Sequence, residues 1–351
     1  MTVETSATEA EEFSARMLRV LNSGMLALLV SIGHRTRLFE VLASSPPATA
    51  AELAEAAGLD ERYVREWLGG MTIGRVVVHD PVAMTFWLPP EHVEALKLEA
   101  SMFANIGILA QMEDHVVECF RHGGGIPFEA YPERMSIVTE ETKERFEDAV
   151  VEVTLSYVPG IVGRLEEGID VLDVGCGTGH DLNTMAKAFP ASRFVGLDIS
   201  ARNLAVAREQ AGRKELTNVI FVEQDAVTLD SPDRYDFITS FDSVHDLARP
   251  DLVLSAIARS LRPGGTYLCV DVGLSSTLSD NLDHPGAPFI ATFSCMHCIP
   301  LSMSADGGMG LGSMWGEQLT VKMLNEAGFS VEVVHPEDDW NNFYIATKPQ
   351  T

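Results

Sequence analysis

The sequence predicts an α/β fold: an open, mostly parallel sheet of seven strands in the second half, preceded by small helical modules. Three observations predict it. From about residue 166 onward, β-branched runs alternate with amphipathic stretches, the pattern of a parallel sheet with crossover helices. The run Val171-Leu172-Asp173-Val174 breaks into a loop with glycine at 175, 177 and 179, then resumes with helical spacing, as a strand, tight turn and helix would. Two further runs end in acids, Asp198 and Asp225, at spacings that suit successive strands of one sheet.

Composition narrows the class. The chain has 351 residues, 46% of them apolar, enough for two or three cores. A formal charge of −26 repels nucleic acid over most of the surface, so a nucleic-acid partner is not expected. The five scattered cysteines fit a reducing compartment better than a disulfide framework, and the acidic N-terminus lacks a signal's basic region. The longest apolar run near the start, Met25 to Ile32, is too short to span a bilayer. A cytoplasmic protein with no membrane association is the expectation.

The elements follow in order. Residues from about 13 to 43 read as helix, with Phe13, Met17, Leu18, Leu21, Met25, Leu28, Leu29 and Ile32 at helical spacing. After Ser45-Pro46-Pro47, Thr49 caps a helix that Glu52 completes as a capping box and Gly58 stops. Asp60 caps a second helix through Val64, Trp67 and Met71. Two strand-like runs, 75–79 and 84–88, are joined at Asp80-Pro81. Helix, turn, helix and a two-stranded wing make a winged helix-turn-helix over residues 1–90. Its second helix mixes Asp60, Glu61 and Glu66 with Arg62 and Arg65, so dimerisation and scaffolding of a substrate site are favoured over DNA binding. Residues 91–165 form a helical connector or lid, broken at Gly123-Gly124-Gly125-Ile126-Pro127 and carrying Tyr131 and Tyr157. Strands are expected near 169–174, 193–198, 218–223, 235–241, 266–272, 329–335 and 342–347, the last two joined by a turn at Pro336 to Trp340 as an antiparallel edge.

The chemistry concentrates at the strand ends. Asp173 beside the glycine loop suits a cationic ligand better than a phosphate, and no phosphate-binding lysine follows that loop. Asp198 stands where a carboxylate grips a ribose diol. Asp225, with Ala226, is placed to accept from an adenine amine. Cys176 inside the loop, where only a small side chain is demanded, Ile199 after the second acid and Phe241 at the end of the fourth strand complete the candidate cofactor set. His245 and Asp246 follow the fourth strand, at the carboxyl edge of the sheet, as candidate catalytic residues.

This ordered series resembles the class I S-adenosylmethionine-dependent methyltransferases over roughly residues 166 to 348. The resemblance implies a seven-stranded Rossmann-like methyltransferase domain over 166–351 and S-adenosyl-L-methionine as cofactor. It implies that Asp173, Gly175, Gly177 and Gly179 cradle the methionine half, Asp198 the ribose, and Asp225 with Ala226 the adenine. Val244-His245-Asp246 also resembles the histidine-aspartate of plant-type O-methyltransferases, which carry an N-terminal winged-helix dimerisation domain and use the histidine as general base. Those enzymes have tryptophan next, where this chain has Leu247. The whole chain is similar to a group of bacterial small-molecule methyltransferases, mycobacterial ones included.

The stretch 274–316 is non-periodic and rich in Cys, His, Met, Trp and Gly, the composition of a substrate-pocket wall. Its His297, Cys298 and Trp315, with Tyr131 of the connector, are the candidate substrate residues. No metal is expected, because Cys295-x-x-Cys298 with His297 has no second cysteine pair. The resulting expectation is a homodimeric methyltransferase for a small hydrophobic or aromatic acceptor, with O-methylation leading. N- or S-methylation, where His245 would only shape the pocket, and a ligand-sensing winged-helix regulator are the alternatives.

Overall fold

The computed structural model describes residues 3–144, 149–336 and 340–350 and divides into two compact units, Met1–Ala110 and Gln111–Thr351. The first unit opens with α1 (Val3–Arg35), then α2 (Leu38–Ser44), α3 (Ala50–Ala57) and α4 (Glu61–Ile73). A two-stranded wing, β1 (Val78–Asp80) and β2 (Thr85–Trp87), and the helices α5 (Pro90–Glu99) and α6 (Ala104–Ala110) complete it. The stretch expected to be helical over 13–43 is divided between α1 and α2, because Arg37 adopts a left-handed conformation (φ 59°). The expected caps form: Thr49 and Glu52 satisfy one another's backbone donors, and Asp60 accepts from Arg62 N and Tyr63 N. The wing is shorter than expected, since Arg75 turns the chain (φ 60°) and pairing begins at Val78 opposite Trp87. Ala48 adds a bridge to Phe86.

Close packing of α1 on α4 explains a glycine in a helix interior. A Cβ at Gly33 would lie 2.4 Å from the Trp67 ring, whose Nε1 donates to Leu29 O at 2.8 Å. The other side of α1 is uncovered, with Phe13, Leu18, Leu21 and Met25 about 60% exposed. The apolar run Met25 to Ile32 does not stand alone, as the sequence suggested. It sits in the stretch Thr8–Arg35, 28 residues with mean hydropathy 1.4 over an 18-residue window, long and apolar enough to cross a membrane by length and composition.

The second unit starts with α7 (Glu113–His122), α8 (Arg134–Glu144), α9 (Ala149–Glu152) and α10 (Ile161–Glu167). Strand β3 (Asp170–Val174), α11 (His180–Ala188), β4 (Arg193–Asp198), α12 (Ala201–Arg213), β5 (Val219–Glu223) and β6 (Tyr235–Phe241) follow. Next come α13 (Pro250–Ser260), β7 (Leu261–Val272), α14 (Ala287–Phe293), α15 (Ile299–Ser302), α16 (Gly316–Glu326), β8 (Ser330–Val334) and β9 (Asn341–Thr347). The sheet order is β5-β4-β3-β6-β7-β9-β8, with β9 antiparallel to both β7 and β8. The expected turn joining β8 to β9 falls partly on residues 337–339, outside the described residues.

Period-2 alternation buries both faces. Leu172, Ile238 and Tyr267 point into one core with α13 and α16, while Val171, Phe237 and Leu268 point into the other with α10 and α11. The order reverses at β3, whose neighbours are β4 and β6. A crevice therefore opens at the carboxyl ends of these strands.

The stretch 274–316 is not the irregular wall that its composition suggested. Its centre, residues 287–302, is helical throughout, with a π-type turn at Ser294–Cys298 between α14 and α15. Glycines on either side allow backbone to lie against it. At Gly125 a Cβ would fall 2.2 Å from Pro300 O, and Ile126 N donates to that oxygen at 2.8 Å. Gly125 of the connector's glycine run is therefore a packing position, while Gly123 and Gly124 have open space where a Cβ would stand.

Candidate active site

The acids and the glycine loop meet at the switch point. Asp173 is buried at the end of β3, and its Oδ1 accepts from Thr239 Oγ1 of β6 at 2.8 Å. Gly175 N and Cys176 N donate to Leu197 O at 2.8 and 3.0 Å, which folds the loop across the end of β4. Gly177 (φ 53°) has open space where a Cβ would stand and donates its N–H to Asp198 Oδ2 at 2.8 Å. Gly179 (φ 75°) packs where a Cβ would meet Ala207 at 2.7 Å. Asp198 Oδ1 accepts from Ser200 N at 2.8 Å. Burial pushes its carboxyl above the ordinary value; N–H groups of Ser200, Gly177 and Ile199 pull it down, and Glu129 of the connector raises it further. Asp225 Oδ1 caps its own turn through Val227 N at 3.0 Å, beside buried Ala226. The Ile199 side chain is 64% exposed, and Phe241 is half-buried at the end of β6.

The turn leaving β6 touches this loop. Ser243 Oγ donates to Val174 O at 2.9 Å, and a Cβ at Gly175 would meet Ser243 at 2.7 Å. Two residues on, buried His245 hydrogen-bonds through Nδ1 to Asp271 Oδ1 at 2.7 Å, while its Nε2 lies 3.3 Å from Asp246 Oδ1. Asp271 Oδ1 also accepts from Val272 N at 2.8 Å and Trp315 Nε1 at 3.3 Å. In the neutral imidazole that donates from Nδ1 to this carboxylate, Nε2 carries the lone pair. Burial alone would lower the His245 pKa; the Asp271 and Asp246 carboxylates overcome it and hold it well above the ordinary value.

The π-type turn supplies the opposite wall. His297 Nε2 is 4.0 Å from Asp246 Oδ2, and its ring meets Tyr131 edge-on at 4.6 Å, Phe293 at 5.6 Å and Phe128 at 6.5 Å. Tyr131 is fully buried and donates from its hydroxyl to Met296 O at 2.9 Å. Burial holds the His297 pKa below its ordinary value. Cys298 lies 3.0 Å from Ser313 Oγ and contacts His245; burial and then Asp246 push its thiol up to about 11.

Sequence reasoning missed Asp271, Phe128, Phe293 and Ser313. Asp271 carries the signal that found Asp198, a strand run ending in an acid (Cys269-Val270-Asp271). Phe293 lies one helical turn before His297, whereas Phe128 and Ser313 carry no local signal, because only the tertiary fold brings them to His297 and Cys298.

Comparison with known proteins agrees with this architecture. Residues 24–97 match the Rv2258c-like winged HTH domain, and residues 165–328 match a methyltransferase domain. A fatty-acid O-methyltransferase of Mycolicibacterium smegmatis is 36% identical over 106 residues, 30% of this chain and 38% of that protein. A ubiquinone biosynthesis O-methyltransferase of Leptothrix cholodnii is 33% identical over 113 residues, 32% of this chain and 47% of that protein. The chain thus spans less than half the length of these curated relatives. Human N-acetylserotonin methyltransferase, solved with S-adenosylmethionine, superposes with a TM-score of 0.70 at 16% identity, covering 96% of this chain and 98% of that one. An O-methyltransferase family protein from Burkholderia thailandensis superposes with a TM-score of 0.67 at 15% identity, covering 96% and 98%. At these identities the superpositions show a shared fold.

Proposed function

From a chain that joins a Rv2258c-like winged helix-turn-helix domain to a methyltransferase domain, we propose an S-adenosylmethionine-dependent O-methyltransferase acting on a small acceptor. The observation that carries this reading is the contact of the β6 exit turn with the glycine loop: Ser243 joins Val174 and Gly175, and the same turn presents His245. One short segment thus links a nucleoside cradle to a base. Asp173, Gly175, Cys176, Gly177 and Gly179 form the methionine end of that cradle. Asp198 with Ile199 holds the ribose, and Asp225 with Ala226 holds the adenine, beside Phe241.

Methyl transfer is an in-line displacement at carbon, so positioning and removal of the acceptor proton are the protein's work. His245 Nε2 takes that proton. Asp271 fixes the ring and tautomer, and Asp246 stabilises the imidazolium that forms. Tyr131, His297 and Cys298 line the acceptor pocket, and Trp315 supports it through Asp271. Phe128, Phe293 and Tyr131 around His297 favour an apolar or aromatic acceptor. The fatty acid and ubiquinone named for the two relatives are consistent with an apolar acceptor. The reading includes a homodimer through the uncovered apolar side of α1 and a cytoplasmic location, to which five free cysteines are suited.

Incubating the protein with methyl-labelled S-adenosylmethionine and a panel of apolar phenols, hydroxyquinones and fatty acids tests the proposal. Label on acceptor oxygen supports it. Label only on nitrogen or sulfur, or on none of the panel, counts against it.

A further inference from the structure

The pocket wall and the β6 turn together assemble a donor set that the spacing of the cysteines conceals. His245, Asp246 and Cys298 each bring one ligand atom to a common point, all within 4.8 Å of one another, and His245 Nε2 is 3.3 Å from Asp246 Oδ1. A tetrahedral zinc ion, with bonds of about 2.0 Å to nitrogen and oxygen and about 2.3 Å to sulfur, separates its ligand atoms by roughly 3.3–3.6 Å. Cys295 of the Cys-x-x-Cys pair is not in the set; the other ligands come from another segment.

The surroundings are those of a metal site. His245 Nδ1 is held by the Asp271 carboxylate at 2.7 Å, the outer contact that fixes a ligating imidazole and aims its Nε2 lone pair. Cys298 Sγ has Ser313 Oγ at 3.0 Å, a donor for a thiolate. Asp246 Oδ1 is buried and makes no hydrogen bond among the described residues, with only the 3.3 Å approach to His245 Nε2. A thiolate and a carboxylate balance a divalent cation, and thiolate with imidazole selects zinc over magnesium or calcium.

We propose that His245, Asp246 and Cys298 form a zinc site, and that the ion competes with the methyl acceptor for His245 Nε2. On binding, Zn–N, Zn–O and Zn–S bonds form, the Cys298 thiol proton and the proton on His245 Nε2 go to solvent, and nothing is oxidised or reduced. A lone pair given to zinc cannot take the acceptor's proton, so the loaded protein is the inhibited one. The competition rests on the base role of His245; the metal site itself does not.

Cobalt(II) titration of the full chain, stripped by chelator and free of donor and acceptor, reads the site directly. One equivalent is expected to give tetrahedral visible bands and a near-ultraviolet thiolate-to-cobalt band, both displaced by zinc. Cys298→Ser removes the thiolate band, and Asp246→Asn weakens cobalt binding by at least about tenfold. Cys119→Ser, on a helix that also carries His115 and His122, leaves the spectrum unchanged. No thiolate band, or one that survives Cys298→Ser in a variant with wild-type circular dichroism, overturns the site. In turnover assays zinc should raise the acceptor KM and leave kcat unchanged. Stimulation, or a fall in kcat alone, overturns the competition while the cobalt spectrum still reports the site.

Discussion

His245 stands between opposing influences, burial that disfavours its charge and two carboxylates that favour it. Because the carboxylates win, the metal-free protein holds this imidazole protonated above the ordinary histidine value, and a general base must first lose that proton. Turnover should therefore rise with pH through a limb above about 6.5. Asp246→Asn removes one stabilising charge, so its limb should move to lower pH; an unmoved limb in the kcat/KM profile would separate His245 from catalysis. His245→Ala should lower kcat by about 10²- to 10⁴-fold and spare cofactor affinity. At this scale the sequence was legible wherever an acid ended a strand. Asp173, Asp198 and Asp225 were found that way, and Asp271 follows the same rule, hidden only because its role is set by His245, 26 positions away. Of the aromatic contacts at His297, Phe293 follows from helical i,i+4 spacing, whereas packing alone brings Phe128 there, without a signal in the sequence.

Elements were readable where the cause is local. Thr49, Glu52 and Asp60 announce their helices because side chain and backbone are within three residues of each other. The break after α1 had no such signal, since arginine at position 37 carries no left-handed preference. The helix over 287–302 was obscured by Pro288, Pro300 and the glycines that pack on it. Gly33→Ala forces a methyl into the Trp67 ring and should cost about 1–3 kcal/mol, seen as a lower denaturant midpoint with unchanged slope. Leu21→Glu on the uncovered side of α1 should convert the proposed dimer to monomers in sedimentation, whereas an unchanged sedimentation coefficient counts against a dimer through α1.

At the scale of the whole molecule, strand order, rather than any one motif, determines where chemistry can occur. The reversal at β3 opens the crevice, and Asp173 near the end of β3, Asp198 at the end of β4 and Asp225 in the turn after β5 all lie at the carboxyl edge of the sheet. On α4 of the winged module, Arg62 pairs with Glu66 and Arg65 with Glu61. The parallel sheet was legible from alternation, and its antiparallel edge from the two closely spaced final runs. The central claim is that an acid-lined cradle at the switch point takes a sulfonium nucleoside rather than a dinucleotide. Calorimetric titration with S-adenosylhomocysteine and, separately, NAD tests it most directly. The account predicts one site for S-adenosylhomocysteine, weakened about 100-fold by Asp198→Ala through loss of two hydroxyl contacts, and no heat from NAD. Binding of NAD in its place, or S-adenosylhomocysteine affinity untouched by Asp198→Ala, would contradict it.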